Sequence, residues 1–247
     1  MAIVSAVARV LVGTSGFSYK EWLGIFYPPG TKPDGYLSFY AGEFPIVEID
    51  GTFYRMPSRD TLRSWRASTP DGFKFAIKAS QKITHFDRLK LPCGALEYLI
   101  GVLPELGDRL GVVLFQTPPN FKVNHARLEA FLANLPEAVP AAFEFRHDSW
   151  FVPETYDLLR SRNAALCITE DDDGASPMEL TAPFTYVRLR RSEYGPEAAA
   201  EWKGRWRDWA AAGVETYAFL KHEDSPDAPN IARRFREAAA AGAAIRN

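Results

Sequence analysis

Only two of the 247 residues are cysteine, Cys93 and Cys167, and neither stands in a CxxC or Cys/His spacing. That argues against a disulfide framework or a structural zinc site and fits a reducing, cytoplasmic setting. Long apolar runs are missing as well. Arg9 interrupts the mildly apolar start, and charges break every later run before it could span a bilayer. The start lacks a basic leader and a small-residue cleavage site, so it reads as the approach to a strand, and no membrane partner is expected. Nor is there an excess of one charge. With 29 Lys and Arg against 31 Asp and Glu, net −2, any affinity for nucleic acid has to come from a local patch. No repeat interrupts the chain, and low complexity is confined to its alanine-rich tail.

Two further absences bear on fold and chemistry. Gly13 and Gly16 frame TSGF without the third glycine that a phosphate-cradling dinucleotide fold places after its first strand. HxH and HExxH are also missing. A metal held by His85, His147 and His222 with Glu48 or Glu144 is therefore weighed as a minor alternative, and His125, at a helix start, reads as exposed. No motif calls for a cofactor, and the sequence leaves the oligomeric state open.

What is present is a large apolar fraction, 47%, arranged as eight short runs separated by helix-length connectors. The runs are RVLVGTSGF (9–17), IVEIDGTF (46–53), KFAIKAS (74–80), LGVVLFQTP (110–118), AAFEFRH (141–147), AALCITED (164–171), FTYVRLRR (184–191) and ETYAFLKHED (215–224). Ser58, Asn124 and Pro153 open helical segments between them. Strand and helix in alternation point to parallel pairing, and eight units in roughly 250 residues to one α/β TIM-type (β/α)8 barrel spanning 1–247. An open doubly wound sheet is the alternative. Two connectors are irregular: 18–35 is long, aromatic and proline-bearing, and 171–183 is too broken for a helix, so one helix of the ring is expected to be reduced.

Side chains alternate across a strand, so the charges in FEFRH need a reason. Phe143 and Phe145 face one way, Glu144 and Arg146 the other. The pattern repeats: Thr14 and Gly16, Glu48 and Asp50, Lys78, Gln116, Glu170 and Asp171, Arg188 and Arg190, and Lys221 close their runs. Barrel active sites lie at the strands' carboxyl ends. An interior top with Glu48, Asp50 and Glu144 facing Lys78, Arg146, Arg188, Arg190 and Lys221 carries an excess of cations and suits a small anion such as a phosphate or carboxylate. The competing reading is a self-paired structural network. Phe17, Tyr19, Trp22 and Tyr27 on the first loop, with Trp150 and Phe151, could stack a ring at the mouth or simply cap the barrel as a satellite core. Trp202, Trp206 and Trp209 read as the buried stripe of a helix. Lys78 and Lys221 read as charged hydrogen-bonding groups and not as Schiff-base lysines.

The stretches VGTSGFSYKEWLGIFYPPG, VEIDGTFYRMPS, FKFAIKASQKITH, VLFQTPPNF, FEFRHDSWF and LKHED resemble, in this order, the signatures of the YecE-like proteins, Domain of Unknown Function 72. The resemblance implies a TIM-type barrel and no settled chemistry. It marks Gly13, Thr14, Ser15 and Gly16, Glu48, Phe53 and Tyr54, Lys78, Gln116 and Pro118, and Glu144, Arg146 and Trp150. Many relatives read RLHG where this chain has Arg188, Leu189, Arg190 and Arg191, so no histidine role carries over; the arginines with Tyr194 and KHED resemble another branch.

These readings make Glu48 and Glu144 the acid/base candidates and Thr14, Ser15, Tyr54, Lys78, Gln116, Arg146, Trp150, Arg188, Arg190 and Lys221 the substrate-binding ones. A phosphorylated or nucleotide-like substrate comes first, a nuclease-like or nucleic-acid-binding barrel second, and a non-catalytic binding protein third.

Overall fold

A computed structural model of the chain describes residues 8–221 and 226–243. Eight strands form the barrel: β1 (Val10–Thr14), β2 (Ile46–Ile49), β3 (Lys74–Lys78), β4 (Leu110–Gln116), β5 (Ala141–Glu144), β6 (Ala165–Asp171), β8 (Phe184–Leu189) and β9 (Glu215–Leu220). All their mutual pairings are parallel, in the order β1-β9-β8-β6-β5-β4-β3-β2. A two-residue strand, β7 (Gly174–Ala175), turns back antiparallel on β6. The expected β/α alternation accounts for the helices α1 (Tyr36–Glu43), α2 (Arg59–Ala67), α3 (Gly94–Val102), α4 (His125–Ala133), α5 (Pro153–Ser161), α6 (Pro196–Ala211) and α7 (Ala228–Ala243). No helix lies between β6 and β8, where the broken 171–183 connector predicted a reduced one. Ser58 and Asn124 cap α2 and α4 through the backbone N–H groups of Thr61 and Arg127, and Pro153 opens α5.

The ring closes between β1 and β2 at one bridge, where the Gly16 N–H donates to the Glu48 carbonyl at 2.7 Å. Just below, the Tyr40 hydroxyl fills the seam. It accepts from the Thr14 N–H at 2.8 Å and donates to the Ile46 carbonyl at 3.0 Å. Gly13 is required here because a Cβ would lie 2.0 Å from the Ile46 carbonyl oxygen.

Strand alternation makes two cores. Phe75, Ile77, Phe115, Phe143 and Phe145 pack outward on the helices, while Leu11, Ile46, Val112, Leu114, Cys167, Tyr186 and Phe219 fill the barrel. Trp202 and Trp206 of α6 are buried against this outer layer, and Trp209 packs half-buried beside them. The first loop is a satellite core: Trp22, Phe26 and Tyr27 are buried against Tyr36, Tyr40 and Phe44, with Tyr27 stacked on Tyr36 at 4.3 Å. No helix among the described residues is long and apolar enough to cross a membrane.

Candidate active site

Above the apolar filling, the next inward positions are polar, and they meet around one guanidinium. Arg188 of β8 is 1% exposed. Its Nη1 donates to Glu144 Oε2 at 2.7 Å, and its Nη2 to Glu48 Oε1 at 2.8 Å and Asp50 Oδ1 at 3.4 Å. Gln116 Nε2 holds the second oxygen of Glu144 at 2.8 Å, and the Tyr186 hydroxyl holds the second oxygen of Glu48 at 2.5 Å. The β4–β5 register sets Gln116 beside Glu144, and Tyr186 lies one inward position below Arg188 on the same strand. Glu48 and Glu144 thus have partners at both oxygens, the condition for keeping charge this deep.

These contacts set the acidities. Burial would raise the Glu48 carboxyl, but the Arg188 charge and the Tyr186 hydrogen bond reverse it, to about 2. Glu144 is lowered against its burial in the same way, by Arg188 and then Arg146. Asp50 goes the other way. Burial and the Glu48 charge raise it to about 7, with Arg188 and Lys78 opposing. Its side chain is a quarter exposed, at the rim of the network.

Lys78 and Arg146 stand at the mouth. Lys78 is half-buried, with Nζ 4.5 Å from the centre of the Phe53 ring. No carboxylate lies within ion-pair distance of it among the described residues, and burial and the nearby Arg188 charge lower its pKa. Arg146 is exposed, and Nε approaches Glu144 Oε1 at 3.5 Å. His85 is half-buried nearby, its ring edge-on to Phe53 at 4.9 Å, and is held below its usual pKa by burial and the Lys78 and Arg146 charges. Beyond Glu144 and Arg146, a cleft of about 450 Å³ opens toward Asp171, Asp173 and β7. A larger hollow of about 690 Å³ lies at the amino ends of the strands, lined by Pro140, Pro183 and Phe184, away from these charges.

Several predicted site residues stand elsewhere. Thr14 faces α1, its hydroxyl donating to the Gly16 carbonyl at 2.7 Å, while Ser15 takes the inward position beside Glu48. Trp150 is fully buried, stacked on Phe145 at 4.4 Å, with Nε1 donating to the Phe121 carbonyl at 2.7 Å. It supports the β5 loop and does not face the mouth. Trp22 and Tyr27 are equally buried, which leaves the first-loop aromatics to the satellite-core reading. Glu170 points outward, taking Trp202 Nε1 at 3.3 Å and Arg191 at 3.2 Å. Arg190 and Lys221 are half-buried just past their strand ends, and Tyr54 is 75% exposed on the rim. Of the expected cations, Arg188 is the one engaged by Glu48, Glu144 and Asp50.

The His85, His147 and His222 set is not assembled as a metal centre among the described residues. His147 Nδ1 accepts the Ser149 N–H and His85 Nδ1 pairs with Thr84, while His222 lies outside the described residues. His125, expected to be exposed, is half-buried against the Thr155 hydroxyl at 3.0 Å. Asp50 is the group that sequence reasoning underused. It shared the inward parity of Glu48, but nothing in the sequence set it shallower.

A parallel eight-stranded barrel with its charged side chains gathered at the carboxyl end is a TIM-type α/β barrel. Its family follows from the sequence: the profile described as "Protein of unknown function DUF72" matches residues 11–246, and the chain belongs to that family. UPF0759 protein YunF of Bacillus subtilis is 33% identical over 157 residues, covering 60% of this chain and 54% of YunF. UPF0759 protein YecE of Escherichia coli K12 is 29% identical over 145 residues, 58% of this chain and 50% of YecE. The matches thus span about half the length of these curated relatives. A DUF72 family crystal structure from Thermotoga maritima superposes with a TM-score of 0.74 at 29% identity, covering 93% of this chain and 98% of that one. Another from Enterococcus faecalis gives 0.76 at 17% identity, covering 94% and 96%.

Proposed function

We propose that the protein is an enzyme that binds a small anionic, phosphorylated or nucleotide-like substrate at the carboxyl end of the barrel. The observation that carries this reading is Lys78, a half-buried ammonium facing the mouth with no carboxylate in ion-pair distance among the described residues. A cation held this way gains from an incoming anion what it lacks from the protein. Arg146, exposed past the end of β5 with its Nε toward Glu144, supplies a planar fork for a phosphate or carboxylate. Glu48 and Glu144 are buried and paired at both oxygens, so they hold Arg188 in place. The acid/base role moves to Asp50, which is at the rim and titrates close to neutrality. A cytoplasmic setting accords with Cys93 and Cys167, both free and buried.

The paired carboxylates favour a second reading, a non-catalytic binding barrel, which predicts ligand capture without turnover. Thermal-shift measurements against phosphorylated metabolites, nucleotides and carboxylates test the first. A ligand is expected to raise the Tm of the wild type, and Lys78→Met and Arg146→Ala to remove the shift. Equal shifts in all three proteins would sink the anion site; a lasting shift with no chemical change in the ligand would favour the second reading.

A further inference from the structure

The most exposed large apolar side chains among the described residues are two rings on the turns that follow β2 and β3, at the carboxyl end of the barrel. Tyr54 is 75% exposed and Phe86 is 69% exposed. They leave the barrel from different strands. Tyr54 follows the 3-10 turn Asp50–Phe53 after β2, and Phe86 ends a single π-helical turn, Lys82–Phe86, after β3. Phe53 lies between the two turns: it meets Tyr54 at 5.0 Å and His85, the chain neighbour of Phe86, at 4.9 Å, both edge-on, and Lys78 Nζ sits over its face at 4.5 Å. One buried ring therefore touches an exposed ring, the imidazole next to the other, and an ammonium with no ion-pair partner among the described residues.

An aromatic ring left in water forgoes the burial that stabilises most of its kind, and two such rings beside a cation are the arrangement in which a planar ligand covers apolar surface while its charged end is neutralised. The backbone past Phe86 fits a built loop, since Arg88 and Leu89 keep positive φ values of 49° and 61°, left-handed conformations that non-glycine residues seldom hold.

We propose that the ligand is a nucleoside monophosphate, its base stacked on Tyr54 and Phe86 and its phosphate held by Lys78 and Arg146. The assignment rests on the anion-site reading above and adds the ring to it. Base–aromatic stacking does not need hydrogen-bond readout, so the platform accepts more than one base.

Isothermal titration with three probes separates the parts: the four common nucleoside 5′-monophosphates, ribose 5-phosphate, and adenosine. At least one nucleotide is expected to bind on the order of tenfold more tightly than ribose 5-phosphate. Tyr54→Ala with Phe86→Ala is expected to erase that difference while leaving ribose 5-phosphate affinity unchanged. Both rings are on the surface, so an unchanged Tm reports that the variant is folded. If ribose 5-phosphate binds as tightly as every nucleotide, the stacking assignment falls and the anion site stands. If adenosine binds as tightly as its phosphate and Lys78→Met changes nothing, the anion reading falls and the aromatic platform alone survives. Failure of all three probes to bind overturns both.

Discussion

Arg188 and Glu48 meet at 2.8 Å inside the barrel, with the two side chains 1% and 0% exposed. Because the same guanidinium also holds Glu144, one residue compensates two buried charges. Arg188→Met leaves both uncompensated and is expected to cost about 3–5 kcal/mol. For a chain of this size that is a fall in Tm of roughly 6–20 °C. The triple variant Glu48→Gln, Glu144→Gln, Arg188→Met is expected to recover part of the loss, since no charge stays buried without a partner. Calorimetric melts of both variants check it. A single variant as stable as wild type would show that the pairs are not formed as described.

Asp50 gives the protein a pH dependence of unusual sign for a carboxylate. Its folded pKa, about 7, lies above its ordinary 3.8, so the stability tied to its protonated form is complete at acid pH and lost as pH rises through 7. Glu48, lowered from 4.5 to about 2, runs the opposite way: its contribution is present above 4.5 and lost as pH falls through 2. Urea melts are therefore expected to show stability declining from about pH 4 to about pH 7, and Asp50→Asn to flatten that decline. An Asp50 carboxyl carbon resonance titrating near pH 4 in NMR would contradict the assignment.

Trp150 separates structural from binding roles. Trp150→Phe removes the donor to the buried Phe121 carbonyl and is expected to cost about 1–3 kcal/mol. Affinity for an anionic ligand, measured by titration on the folded variant, is expected to stay within twofold, because the indole faces Phe145 and Phe121. A large affinity loss at unchanged stability would return Trp150 to the site.

The sequence made the barrel readable because β/α alternation is a local signal, and strand parity places Glu48, Lys78, Gln116, Glu144 and Arg188 inward wherever an apolar neighbour marks the outward face. Parity misled at Thr14, since Gly13 has no side chain to show which face it holds. It also left Glu170 undecided, although Cys167 and Thr169 on alternate positions already claim the interior. Depth was not readable at all. That Arg188 reaches Glu48, Asp50 and Glu144, while Arg146 stays exposed, depends on the stagger of strands far apart in sequence. The burial of Trp22 and Trp150 and the exposure of Tyr54 and Phe86 likewise follow from how loops dock, and hydrophobicity alone ranks all four alike.

The β1–β2 seam is the place where the ring is held by least, and two substitutions probe it differently. Tyr40→Phe keeps the packing but leaves the Thr14 N–H and Ile46 carbonyl without the hydroxyl that joins them, a cost of about 1–3 kcal/mol for buried groups. Gly13→Ala pushes a methyl to 2.0 Å from the Ile46 carbonyl oxygen, which only separation of the strands relieves. That separation strains the neighbouring Gly16–Glu48 bridge, and Glu48 carries the Arg188 network, so the glycine substitution is expected to weaken anion binding as well as stability. Tyr40→Phe is expected to lower stability alone. Denaturation and titration on both variants decide it. Equal effects of the two on binding would mean that seam geometry is not transmitted to the site.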